Sequence, residues 1–180
     1  SNITIRGPNN SPKTSDKIGT VYRDPQLVSI DRGAIYDPSI IQMQAVTIGD
    51  FLKISFVFAS EEYPEYVCSR FNDSFGMFIK KASLPDTPAN WTNIAITPGA
   101  STPIAVNNIN SGLCGTYADG SPRILTNAEY YVSNGTGSTP GSNTNLQFDG
   151  LTIPFTVEAP VTPGVTYDVK IAVADAGDAI

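Results

Sequence analysis

The side chains best suited to chemistry in this chain are acidic and amide groups gathered in three short clusters. They are Ser60-Glu61-Glu62-Tyr63, then Asn72-Asp73, then Asp175-Ala-Gly-Asp178. Adjacent carboxylates such as Glu61 and Glu62 repel, and a fold that adds more of them to the same place requires protonation, water or a cation to offset the repulsion. Calcium is the natural candidate, because it takes roughly six to eight oxygen ligands from carboxylates, Asn side chains and backbone carbonyls. Glu61, Glu62, Asn72, Asp73, Asp175 and Asp178 are therefore the expected ligand set. The alternative is that these residues are solvated charges at strand ends, as most acidic residues are. With no histidine in the chain, and with its two cysteines assigned below to a bridge, zinc and copper lack their usual ligands.

The lack of histidine also removes the commonest general base and every Ser-His or Cys-His nucleophile pair. A carboxylate pair such as Glu61 and Glu62 could in principle support glycoside hydrolysis. Substrate clefts usually add several aromatic platforms, however, and the only tryptophan is Trp91, in a Pro/Asn-rich stretch. The reading is therefore binding rather than catalysis, with no catalytic residue assigned. Tyr63, Tyr66 and Asp73, with the Gly/Ser/Thr/Asn-rich segment 111–145, are the candidate surface for a glycan or peptide ligand. That segment also admits the plainer reading of a loop tip with no role.

Cys68 and Cys114 stand in polar, loop-like settings, where a lone thiol would risk oxidation, so they are expected to pair. The bridge would close a loop worth about 4 kcal/mol in the chain-entropy treatment. Two buried thiols in a reducing compartment are the alternative.

The elements that must position these groups read as strands. Phe51-Leu-Lys-Ile-Ser-Phe-Val-Phe58 alternates, with Leu52, Ile54, Phe56 and Phe58 on one face. Residues 74–80 put Phe75, Met77 and Ile79 together, and residues 167–173 do the same with Tyr167, Val169, Ile171 and Val173. Weaker strands are expected at 3–5, 40–48, 93–96, 104–106, 146–148 and 152–157. No stretch of eleven or more residues carries a 3.6-residue apolar period, so helix should be scarce. Many short strands without covering helices predict an all-β fold, a two-sheet β-sandwich or jelly roll, formed as one domain over residues 1–180.

Composition agrees with a folded, exported domain. The chain has 180 residues, 41% hydrophobic and 16% charged, which is far from a disordered composition. A net charge of -6 disfavours nucleic acid and anionic membranes, and the nearest thing to a basic patch is Lys80-Lys81. No apolar run reaches the length of a membrane span, and the first residues lack a signal-peptide layout, so the chain reads as a mature form. Sequons occur at Asn2, Asn9, Asn72, Asn90 and Asn134.

Several motifs in order carry a resemblance. They are Phe58-Ala-Ser-Glu-Glu-Tyr-Pro-Glu-Tyr66, Phe71-Asn-Asp-Ser-Phe-Gly76, Asn93-Ile-Ala-Ile-Thr-Pro-Gly99, Thr102-Pro-Ile-Ala-Val-Asn-Asn108 and Ile171-Ala-Val-Ala-Asp-Ala-Gly-Asp178. Together with Gly7-Pro-Asn-Asn-Ser11 and Tyr36-Asp37 they resemble the choice-of-anchor L domain of secreted and surface-anchored bacterial proteins. The resemblance implies extracellular display, a β-rich fold and no established catalytic activity, and its acidic motifs fall on the same three clusters. Family members usually carry a segment before the Gly-Pro-Asn motif and an apolar strand after the last acidic turn. The resemblance thus implies missing flanking strands, so that either the sequence is a fragment of a longer protein or a partner chain completes the sandwich by strand exchange at open sheet edges. The functional expectation is a calcium-stabilised adhesion or recognition module; the alternative is a subunit of an extracellular filament or matrix.

Overall fold

A computed structural model of the chain describes residues 21–99, 101–111, 113–116, 118–124, 127–135, 145–146 and 148–177, with backbone alone for 113–116 and 122–124. In chain order the elements are α1 (Leu27–Ile30), β1 (Ala34–Val46), β2 (Phe51–Phe56), β3 (Ala59–Ser60), β4 (Ser74–Lys81), β5 (Thr92–Asn93), β6 (Ile104–Ala105), β7 (Leu113–Thr116), β8 (Pro122–Ile124), β9 (Tyr131–Ser133), β10 (Gly150–Thr152), β11 (Phe155–Pro160) and β12 (Thr166–Ala176). Helix among the described residues is confined to α1 and two single turns at Pro88–Asn90 and Ala128–Tyr130.

The principal sheet runs β1-β12-β4-β5, with β6 also pairing β4, and every pairing in it is antiparallel. A second sheet pairs β11 with β2, a third runs β3-β10-β9, and β7 pairs β8. The fold is an all-β sandwich, as the alternation predicts. Phe75, Met77 and Ile79 of β4 join Tyr167, Val169 and Ile171 of β12 in one core with Leu52, Ile54 and Phe56 of β2 and Phe155, Val157 and Ala159 of β11. The Phe56 and Phe75 rings meet across the two sheets at 4.8 Å. Fully burying each such side chain contributes roughly 1.5–3 kcal/mol.

The other face of the principal sheet is not the solvated face that alternation implies. Phe78, Ala172, Ala174 and Ala176 form a second apolar cluster with Leu27 and Ala34, against which Ile30, Ile40 and Trp91 pack. The alanines leave room for α1 to lie close to the strands. As a result β4 is buried on both faces and even Lys80 is only 6% exposed.

The expected strand at 146–148 is absent from the described part of that range; the strand lies at Gly150–Thr152 instead. Glycine is a weak strand signal, but here it is required, since a Cβ at Gly150 would lie 2.5 Å from Tyr63 Cβ. The segment 111–145 is more structured than a loop, because it contains β7, β8 and β9. The expected strand at 3–5 lies outside the described residues.

Candidate functional site

Strand pairing brings one residue of each acidic cluster, Ser60, Asp73 and Ala176, into hydrogen-bonding contact. Ser60 ends β3, Asp73 immediately precedes β4, and Asp175 lies near the end of β12, opposite Tyr36. Ser60 Oγ donates to Asp73 Oδ2 at 2.7 Å, and the Ala176 amide donates to Asp73 Oδ1 at 3.3 Å. Asn72 Nδ2 donates to Asp31 Oδ2 at 2.7 Å, while its Oδ1 accepts from the Asn107 amide at 2.8 Å. The Glu62 amide donates back to Ser60 Oγ at 3.0 Å. Asn72 and Asp73 therefore tie strand ends together by hydrogen bonds, each 8% exposed, rather than pointing into an open ligand shell.

The expected ligand surface needs correction on the same grounds. Tyr63 is fully buried, its hydroxyl donates to the Ile109 carbonyl, and its ring stacks at 5.0 Å from Tyr131. Burial, with the Tyr131 and Asp73 charges behind it, pushes the Tyr63 hydroxyl far above its ordinary range. Tyr63 and Asp73 are thus part of the packed interior. Tyr66 is half-buried, edge-on to Phe71 at 5.2 Å. Asp178 lies outside the described residues, as do Asn2 and Asn9. The sequon residues Asn72 and Asn134 are buried, which leaves no room for a glycan at either in the folded chain.

The carboxylate crowding predicted at Glu61 is present, but with different partners. In the register that pairs Gly150 with Ser60, the next residues along are Asp149 and Glu61. Burial, then the charges of Asp149 and Glu65, push the Glu61 carboxyl up to about 8. Asp149 is pushed up to about 7 by burial and then by Glu65. Tyr131 is raised as well, chiefly by burial, with Asp149 and Glu65 adding to it. Asp149 is 5% exposed, and its Oδ1 has no hydrogen-bond partner among the described residues. Among those residues, no three carboxylate or cysteine side chains stand close enough to hold an ion as placed. Glu61 is half-buried and Glu65 exposed. Asp149 was not legible as a site residue, because only the β3-β10 pairing carries it to Glu61.

Sequence reasoning also missed a groove on the outer face of the principal sheet. One cavity of about 530 Å³ is lined by Gln42, Gln44, Lys80, Asp86, Trp91 and Asp168 among others. A second, of about 400 Å³, shares Gln42 and Asp86 and adds Tyr22, Asp24, Gln26 and Lys170. Lys80 bonds to Asp168, and Lys170 Nζ donates to Asp24 Oδ2 at 2.8 Å. Both ammonium groups lie 5.2 Å from the centre of the Trp91 ring. The available signal was the charge at 80, 168 and 170, on strands otherwise made for burial.

There is no free cysteine among the described residues, and Cys114 lies in β7, where only the backbone is described. No helix among the described residues is long and apolar enough to cross a membrane. A family model described as the Choice-of-anchor L domain matches residues 1–180. No curated protein and no solved structure matches the chain.

Proposed function

This chain belongs to the choice-of-anchor L domain family, whose members are secreted or surface-associated bacterial proteins, and we propose that it is an extracellular adhesion or recognition module, binding rather than catalytic, with one end held by calcium. The observation that carries the metal is the crowding of Glu61, Glu65 and Asp149 beside a buried, unpartnered carboxylate oxygen. Like charges held close together repel and disfavour the ionised form. A divalent cation offsets that repulsion, and the oxygen-rich donor set suits calcium. Glu61 and Glu65 close onto Asp149 when the ion binds. Recognition is supported by the polar groove on the outer sheet face, which can receive a glycan or a peptide.

Calcium binds the folded form alone, so it stabilises by mass action. At a free concentration about a hundred times Kd the gain is about 2.7 kcal/mol, or roughly 5–10 °C in Tm for a domain of this size. Melting in calcium and in EDTA tests the reading; identical curves remove the metal.

A Cys68–Cys114 bridge belongs to the same reading, as suits an exported domain. Alkylation without reductant, followed by intact-mass measurement, should add no label; two labels would contradict the bridge.

One observation favours a second reading, assembly into filaments. From Ser39 to Val46, β1 pairs with β12 on one side and with no strand among the described residues on the other, while Ile41 and Met43 are 58% and 45% exposed. An open apolar edge of this kind accepts another strand. Regular polymers by electron microscopy would support it, and a stable monomer on size-exclusion chromatography would oppose it.

A further inference from the structure

We propose that the groove over the outer face of the principal sheet is a subsite for a neutral pyranose, stacked on Trp91 and held by Gln42, Gln44 and Asp86. This names the ligand class of the recognition reading and rests on it.

The geometry is that of a site whose parts are fixed before a ligand arrives. Trp91 directly follows the Pro88–Asn90 turn, and its indole N–H donates to Asp86 Oδ1 at 2.7 Å, which sets the ring's orientation. Gln44 Nε2 donates to Asp168 Oδ1 at 2.9 Å, and Lys80 donates to Asp168 Oδ2 and to the Leu84 carbonyl. The Lys80 and Gln44 hydrogen bonds hold the Asp168 carboxyl below the usual range, so it stays ionised and keeps both partners in place.

What remains after these bonds is an alternation of acceptors and donors. Asp86 keeps Oδ2, Gln44 keeps Oε1, and the Gln42 amide offers one acceptor and two donors. Neighbouring ring hydroxyls of a sugar, each both donor and acceptor, match such a set, and the apolar C–H face of a pyranose matches an indole. An anion would face Asp86 and Asp168 with Lys80 already paired. A cationic side chain would find the indole flanked by two lysine ammonium groups. A neutral polyol avoids both penalties. The second cavity shares Gln42 and Asp86 with the first, so a chain of more than one sugar can continue toward Tyr22 and Lys170.

Trp91 is the only tryptophan, so it reports on its own groove. The test is titration of its fluorescence with neutral gluco-, manno- and galacto-oligosaccharides, in calcium and in EDTA, alongside oligoarginine and a sulfated oligosaccharide. The same sugars, immobilised, provide a binding readout independent of tryptophan. The expected result is a saturable emission change with at least one neutral oligosaccharide, weakened about tenfold in Gln42→Ala at unchanged Tm, as loss of one or two hydrogen bonds predicts. Because Trp91 also packs on the outer apolar cluster, Gln42→Ala rather than a tryptophan variant is the deciding substitution. The proposal is overturned if only oligoarginine or the sulfated sugar responds, if Gln42→Ala binds like the parent, or if no neutral sugar binds. Capture on the immobilised sugars without any emission change rejects this groove while leaving the recognition reading standing.

Discussion

Asp149 and Glu61 flank the Gly150–Ser60 pair just outside β10 and β3, where the charge of Asp149 bears on the Glu61 carboxyl. The pairing of β10 with β3 brings two like charges to one end of that pair. Glu65, on the turn that follows, adds to the crowding.

Stability without metal should fall as pH rises. Folding raises the pKa of Glu61 from 4.5 to about 8 and that of Asp149 from 3.8 to about 7, so the native state retains protons that the unfolded chain releases. The repulsion is absent below the unfolded values and complete above the folded ones. The urea midpoint in EDTA is therefore expected to be higher at pH 5.5 than at pH 8.5, with Asp149→Asn flattening the difference. Calcium should narrow it, since the ion favours the ionised carboxylates. A midpoint that does not change across this range would contradict the crowding.

The two ion pairs at opposite extremes of burial should behave differently. Lys170 is 5% exposed and Asp24 2%, and Asp24 Oδ1 also accepts the amides of Gln26 and Leu27. Lys170→Met leaves that carboxylate buried and uncompensated, a loss of about 3–5 kcal/mol. Lys53 and Glu158 pair at 2.6 Å but are largely solvent-exposed, so Lys53→Met should cost less than about 1 kcal/mol. Urea denaturation of both variants checks the contrast, and equal losses would refute it.

Removing the Ser60 hydroxyl tests whether Asp73 serves as a structural tie. Ser60→Ala takes a hydrogen bond from a buried carboxylate, which should cost about 1.5–3 kcal/mol. A change below 0.5 kcal/mol, about the level of an ordinary surface substitution, would argue against the tie.

The strands that alternate cleanly were legible in the sequence. Phe75, Met77 and Ile79, and Tyr167, Val169 and Ile171, lie in the core as their period of two requires. The outer apolar cluster was not, because Ala172, Ala174 and Ala176 carry little hydrophobic signal and α1 is too short to show a helical period. At the acidic end the convergence of Ser60, Asp73 and Ala176 followed from their positions at strand ends. Which carboxylates stay unsatisfied did not, since that depends on hydrogen bonds made across the fold. The sequence shows Trp91 only as a single tryptophan in a Pro/Asn-rich stretch; its place beside Lys80, Lys170 and Gln42 depends on how β4, β12 and β1 pair.

Glu61, Glu65 and Asp149 are the residues proposed to bind a divalent cation. Calorimetric titration of calcium into the metal-free chain tests this most directly, with Asp149→Asn as the comparison. A saturable heat of binding in the parent chain, lost or weakened more than tenfold in the variant, is the predicted result. No heat in the parent, or the same affinity in both, would contradict it.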